Sequence, residues 1–122
     1  MEWETMIHNE QKYLEIVTKG VADKESSLEM AKVISQSMRR HKLTKVLIDQ
    51  RNVTKVMGRI TDVYQRPKMF RLIGMILDIK VAEVIDPAHV EHFNFLETVC
   101  INNGFKFSVF FDKSSALKWL LK

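Results

Sequence analysis

The sequence predicts an α/β fold: a mixed, mostly parallel sheet of about five strands with four helices, in the order β-β-α-β-α-β-α-β-α. Three observations carry this. Short runs rich in β-branched and aromatic residues alternate with longer stretches whose apolar residues recur at spacings of three and four. The links between them are short, which favours parallel strands joined by right-handed crossovers. The two opening strand-like runs are separated only by a polar turn, so an antiparallel hairpin begins the sheet.

Residues 3–8 place Trp3, Thr5 and Ile7 on one parity, and Asn9-Glu10-Gln11 is turn-like. Tyr13-Leu14-Glu15-Ile16-Val17-Thr18 reads as the second strand, closed by Gly20. Residues 24–42 read as a helix with the stripe Leu28, Ala31, Ile34 and Met38, and Asp23 or Ser26 can cap its start. Lys45-Val46-Leu47-Ile48-Asp49 is a short apolar run, as expected of a strand buried on both faces. A polar loop over residues 50–55, reaching Gly58, is expected next.

Residues 59–77 admit two solutions. Val63, Met69, Phe70, Ile73 and Leu77 suit a helix, but Pro67 lacks an N–H and clashes with the preceding turn in a helix interior. Either a turn covers 60–65 and the helix starts at Pro67, or one helix covers the stretch; the first is preferred, with Gly74 near the helix end. Lys80-Val81-Ala82-Glu83-Val84-Ile85 is a strand. Asp86-Pro87 is a helix start, Val90, Phe93, Leu96, Val99 and Cys100 its buried stripe, and Asn102-Asn103-Gly104 its stop. Residues 105–111 alternate as a strand. Asp112 and Ser114 cap a last helix that turns Ala116, Leu117 and Leu120 inward, with Trp119 partly buried.

At 122 residues, with 46% hydrophobic and 28% charged, the chain is expected to be one domain over 1–122. No apolar run approaches the roughly 20 residues of a membrane span. The start, Met1-Glu2-Trp3-Glu4, has no basic or apolar signal region, and one cysteine allows neither an internal disulfide nor a cysteine-based zinc site. A cytoplasmic protein is the expectation.

The net charge of +4 is unevenly spread. Ten Lys or Arg between Arg39 and Arg71 face only Asp49 and Asp62, so this segment carries +8 and the rest −4. Such asymmetry points to an acidic partner. Nucleic acid is not favoured, because no aromatic-studded groove, zinc finger or recognition helix accompanies the charge. Arg51, Lys55, Arg59 and Arg66 are the candidate partner-binding residues. His89 and His92 share a helix at i, i+3, but no third metal ligand converges with them, so no metal site is assigned. Cys100 lies on an apolar stripe without an activating base, and neither a phosphate-binding glycine loop nor a nucleophile elbow is present. No catalytic residue and no cofactor are assigned. Seven Met and seven Phe suit an ordinary aromatic core, or alternatively an adaptable apolar pocket or dimer face. Phe95, Ile101 and Phe110 fall off the main stripes and are candidates for an exposed patch serving a homodimer or an apolar ligand.

The element order, with the hairpin into Gly20, Lys45-Val46-Leu47-Ile48-Asp49, Thr61-Asp62-Val63-Tyr64 and Lys80-Val81-Ala82-Glu83-Val84, resembles the STAS domain, the fold of anti-sigma-factor antagonists. More closely it is similar to the SpoIIAA-like branch of small stand-alone bacterial proteins. The ending is the sharpest part: Phe93-Asn94-Phe95-Leu96-Glu97-Thr98-Val99, Asn103-Gly104-Phe105, Phe110-Phe111-Asp112 and Ala116-Leu117-Lys118-Trp119-Leu120. The resemblance implies a non-enzymatic regulatory module that binds a protein partner. In regulatory STAS domains the loop after the central strand carries a phosphorylatable serine. Here Met57 or Gly58 falls near that position and no serine lies between Ser37 and Ser108, which leaves Thr54 and Thr61 as candidate modification sites. A broad likeness of SpoIIAA-like proteins to lipid-binding folds implies the alternative, a carrier or sensor of a small apolar, lipid-like ligand.

Overall fold

The computed structural model describes residues 1–58, 60–72 and 78–122, without the side chains of residues 60, 61, 69 and 72. Among the described residues the strands are β1 (Glu2–His8), β2 (Tyr13–Ala22), β3 (Lys45–Val56), β4 (Lys80–Ile85) and β5 (Lys106–Phe110). The helices are α1 (Lys24–His41), α2 (Ile60–Leu72), α3 (Val90–Asn102) and α4 (Lys113–Leu120), with a 3-10 turn at Pro87–His89 before α3. The strands lie side by side in chain order. β1 pairs antiparallel with β2, and every later pair is parallel.

That order decides where the helices go. Successive right-handed crossovers that step in one direction across a sheet put their helices on one face. Accordingly α1, α2 and α3 cover one face, and α4, after the last strand, covers the other. Strand alternation divides the core. Leu14, Ile16, Val46, Ile48 and Val81 pack against Met30, Ile34, Met38, Val63, Phe93 and Leu96. Tyr13, Leu47, Ala82 and Val84 pack against Ala116 and Leu120.

Local signals set most boundaries. Asp23 caps α1, accepting from the Ser26 N–H while Ser26 Oγ accepts from the Asp23 N–H, a reciprocal capping box. Lys42 closes the helix in the left-handed conformation. Asp86 accepts from the Ala88 N–H ahead of Pro87, Gly104 takes a φ of 88° after α3, and Asp112 caps α4 by accepting from Ser115.

Four expectations are corrected. Gly20 does not end β2: at φ 96° it sits beside a register shift, and the strand continues to Ala22. The polar stretch after Gln50 is strand rather than loop, because Asn52, Val53, Lys55 and Val56 pair with Lys19–Ala22 of β2; backbone pairing outweighs side-chain polarity there. Pro67 lies inside α2 and does not start it. On α1, Leu28 is only half-buried, and Ser27 joins Met30, Ala31, Ile34, Ser35 and Met38 on the buried face. The expected helix end near Gly74, with Ile73 and Leu77, lies outside the described residues.

Candidate functional site

Under α2, between α1, α3 and the sheet, lies a cavity of about 40 Å³. At roughly 10–15 Å³ per water it has room for about three waters. Most of its wall is apolar, including Met30, Ile34, Phe70, Phe93, Leu96 and Phe107, but Gln50, Arg66, Glu83 and His92 also line it. β4 supplies Glu83 because this strand is covered on both faces, so every residue on the Val81-Glu83-Ile85 parity is driven into the core. Gln50 follows from Val46 and Ile48 on the same face of β3. Its Nε2 donates to Glu83 Oε1 at 2.7 Å.

Arg66 arrives from the opposite wall. On α2, Val63, Arg66, Pro67 and Phe70 stand at i, i+3, i+4 and i+7, so Arg66 lies on the stripe that faces inward. It is only 6% exposed, and Glu83 only 3%. Neither Arg66 Nε nor Glu83 Oε2 has a hydrogen-bond partner among the described residues. α2 is held in place around them. Phe70 meets Phe105 edge-on at 6.3 Å, and the Arg71 guanidinium lies over the same ring while donating to the Asn103 carbonyl. Lys24 reaches Asp62 at 4.0 Å, joining the starts of α1 and α2.

The electrostatics follow from this enclosure. Burial pushes the Glu83 carboxyl up to about 7, against the lowering influence of the Gln50 hydrogen bond and the Arg66 charge. Burial, with Arg66 and His89 adding to it, lowers His92 to about 4, so its imidazole is neutral near pH 7. Burial likewise lowers the Arg66 pKa, with Glu83 opposing. Cys100 is pushed up to about 12, chiefly by burial and then by Glu83, so the thiol carries no nucleophile at neutral pH. Among the described residues no group of three His, Cys, Asp or Glu side chains could hold a metal ion.

The residues singled out in the sequence as partner-binding do not form one patch. Arg66 is in the core, because its place on the α2 stripe overrides its charge. Arg51 is on the surface but paired: its Nε and Nη2 donate to the two Asp49 carboxylate oxygens at 3.0 and 2.7 Å. Burial works to raise the Asp49 pKa, but the Arg51 hydrogen bonds and charge hold that carboxyl below its usual value. Lys55 is exposed on β3, and so is Thr54. Arg59 and the side chain of Thr61 lie outside the described residues. Beyond Gln50, which pairs with Ile85 at the end of β4, β3 pairs with β2 alone among the described residues. Arg51 and Lys55 therefore ride on a two-stranded extension of the sheet.

The expected exposed patch of Phe95, Ile101 and Phe110 is also corrected. Ile101 is 51% exposed. Phe95 is half-buried under the Tyr64 ring, edge-on at 5.2 Å, and packs on the core beneath α3. Phe110 packs against Trp119 at 5.8 Å on the α4 face. Phe95 packs on the side of the sheet covered by α1, α2 and α3 and Phe110 on the α4 side, so the two phenylalanines do not form one patch.

On the α4 face a second polar cluster replaces part of the core. Glu15, 5% exposed, accepts from His8 Nε2 at 2.7 Å and from Lys113 Nζ at 2.9 Å, while His8 stacks on Tyr13. These bonds leave the cluster internally satisfied, unlike the cavity under α2.

No protein-family model matches the chain, and no curated protein matches it. Solved structures do. An uncharacterized protein of the DUF3478 family with a SpoIIAA-like fold, from Shewanella loihica PV-4, is 18% identical at a TM-score of 0.59, over 98% of this chain and 92% of that one. The anti-sigma factor antagonist SpoIIAA in its unphosphorylated form is 12% identical at 0.54, over 97% and 96%. An anti-sigma factor antagonist from Mycobacterium paratuberculosis is 10% identical at 0.64, over 99% and 96%. The fold is therefore the SpoIIAA-like, STAS-type α/β fold. No helix of the described residues is long and apolar enough to cross a membrane.

Proposed function

We propose that this chain is a non-enzymatic regulatory module that binds an acidic partner protein through the part of β3 beyond Gln50. The observation that supports this reading best is the two-stranded extension after Gln50, which carries Arg51 and Lys55 into solvent. Asp49 holds the Arg51 guanidinium in a fixed orientation, so less side-chain freedom is lost when a carboxylate of the partner engages it. Cations at such a rim act mainly on encounter and orientation. Arg59 belongs to the same proposal as the continuation of the segment. Two of the SpoIIAA-like structures are anti-sigma factor antagonists, whose business is with proteins, which agrees with a binding module.

The experiment is affinity capture with the wild-type chain beside Arg51→Glu/Lys55→Glu, at low and high salt. The wild type should retain an acidic protein that salt releases and the variant fails to hold. Identical capture by both chains, unmoved by salt, overturns the reading. The alternative of a lipid-like ligand finds little room in the cavity under α2, which has space for about three waters and holds no acyl chain without displacement of α2.

A further inference from the structure

The cavity under α2 is an unusual piece of core. Arg66 and Glu83 line it from facing elements, and a buried donor and a buried acceptor, Arg66 Nε–H and Glu83 Oε2, have no partner among the described residues. Leaving such groups unmade costs about 1–3 kcal/mol each and more when they are charged. Native cores contain few of them, and each one calls for an explanation. Glu83 Oε1 is already engaged by Gln50, so the buried side-chain atoms left without a partner among the described residues are the Arg66 Nε–H donor and the Glu83 Oε2 acceptor.

We propose that this cavity is a binding site for a small neutral molecule with an adjacent hydrogen-bond acceptor and donor on a short alkyl stem, of the class of short-chain primary amides. The amide carbonyl accepts from Arg66 Nε–H, and the amide N–H donates to Glu83 Oε2. The alkyl stem meets Phe93, Leu96 and Phe107. Neutrality follows from the charge balance of the site. Above pH 7, where Glu83 is ionised, Arg66 and Glu83 offset one another, so a carboxylate would place a second anion beside Glu83 and an ammonium a second cation beside Arg66, each buried and uncompensated. Size follows from the cavity, which admits a few heavy atoms and no long chain. α2 forms the cover, and the half-buried Val56, Phe70 and His92 mark the side nearest solvent.

The test is an NMR titration of the full chain above pH 7, where Glu83 is ionised, with propionamide, propionate and propylammonium as probes, following the Arg66 Nε–H and the Gln50 side-chain amide. Propionamide should saturate both signals, show contacts from its methyl group to Leu96 and Phe107, and bind at least about tenfold more tightly than either ion, a difference of about 1.4 kcal/mol. Arg66→Met/Glu83→Leu, which replaces both charges with apolar groups, should abolish saturation. The methyl contacts locate the site in the wild type even if that variant does not fold. Absence of saturable binding by any probe means that water alone fills the cavity and overturns the proposal, as does tighter binding of propionate or propylammonium. Loss of the acidic partner in the capture experiment leaves this result untouched, since the two sites share no residue.

Discussion

Arg66 on α2 and Glu83 on β4 line one cavity, and each keeps a polar atom without a partner among the described residues. No ion pair joins them. The pair sits where SpoIIAA-like architecture would permit plain hydrocarbon, on the helix-covered face between Ile48, Val81 and Leu96. Charge retained in such a place costs stability, and its consequences can be measured.

The first is a stability curve that is flat in mild acid. Glu83 rises from 4.5 to about 7 on folding, so it contributes stability that is present at low pH and lost as pH climbs through 7. His92 falls from 6.5 to about 4, so it contributes stability that is present above pH 6.5 and lost as pH drops toward 4. Between about pH 4.5 and 6.5 the two slopes oppose one another. Denaturant unfolding across that window should show little change in the wild type. Glu83→Gln should lose stability on acidification, and His92→Gln should gain it. Parallel curves for all three proteins would contradict this assignment. Asp49, held below the usual carboxylate range by Arg51, acts only at lower pH.

Cys100 should be inert in the folded protein. It is 1% exposed, and its thiol stays protonated at neutral pH. Reaction with a thiol reagent should follow the rate or population of opening and accelerate only as denaturant approaches the unfolding transition. Cys100→Ser, which buries a hydroxyl where a weakly polar thiol packs, should cost about 1–3 kcal/mol. Rapid labelling in native buffer would refute the core placement.

The start of α1 rests on Asp23. Its carboxylate accepts from the Ser26 N–H and hydroxyl, and these bonds hold its pKa below the usual value. Asp23→Ala should lower Tm by a few degrees, and Asp23→Asn, which keeps an acceptor, by less. Equal loss in both variants would mean that the cap hydrogen bond is not what matters there.

Periodicity made most of the fold legible. Alternation in β5, the capping residues Asp23, Asp86 and Asp112, and the Phe93, Leu96, Val99, Cys100 stripe are all local signals, and they sit where the residues imply. The misreadings share one cause, which is side-chain character outweighed by position. Arg51–Val56 look like loop residues, but β2 continues alongside and pairs with them. Pro67 argues for a helix start, yet α2 runs through it. Arg66 reads as surface charge, although its spacing from Val63 and Phe70 already places it on the inner stripe; that spacing is the signal by which the site could have been found. Glu83 is harder. A lone acid in a strand tells which parity it occupies, but its burial depends on α2 and α3 closing over that face, which only the tertiary structure supplies. Nothing local to Gln50 links it to a residue thirty-three positions away.

The most direct test of the polar cavity is a double-mutant cycle on its two charges. Unfolding free energies are measured for the wild type, Arg66→Met, Glu83→Leu and the double variant. Above pH 7, where Glu83 is ionised, each single change strands the other charge and should cost about 3–5 kcal/mol, whereas the double variant should recover at least about 1 kcal/mol of the summed loss. Strict additivity, within about 0.5 kcal/mol, would show that Arg66 and Glu83 do not share a site and would contradict the account.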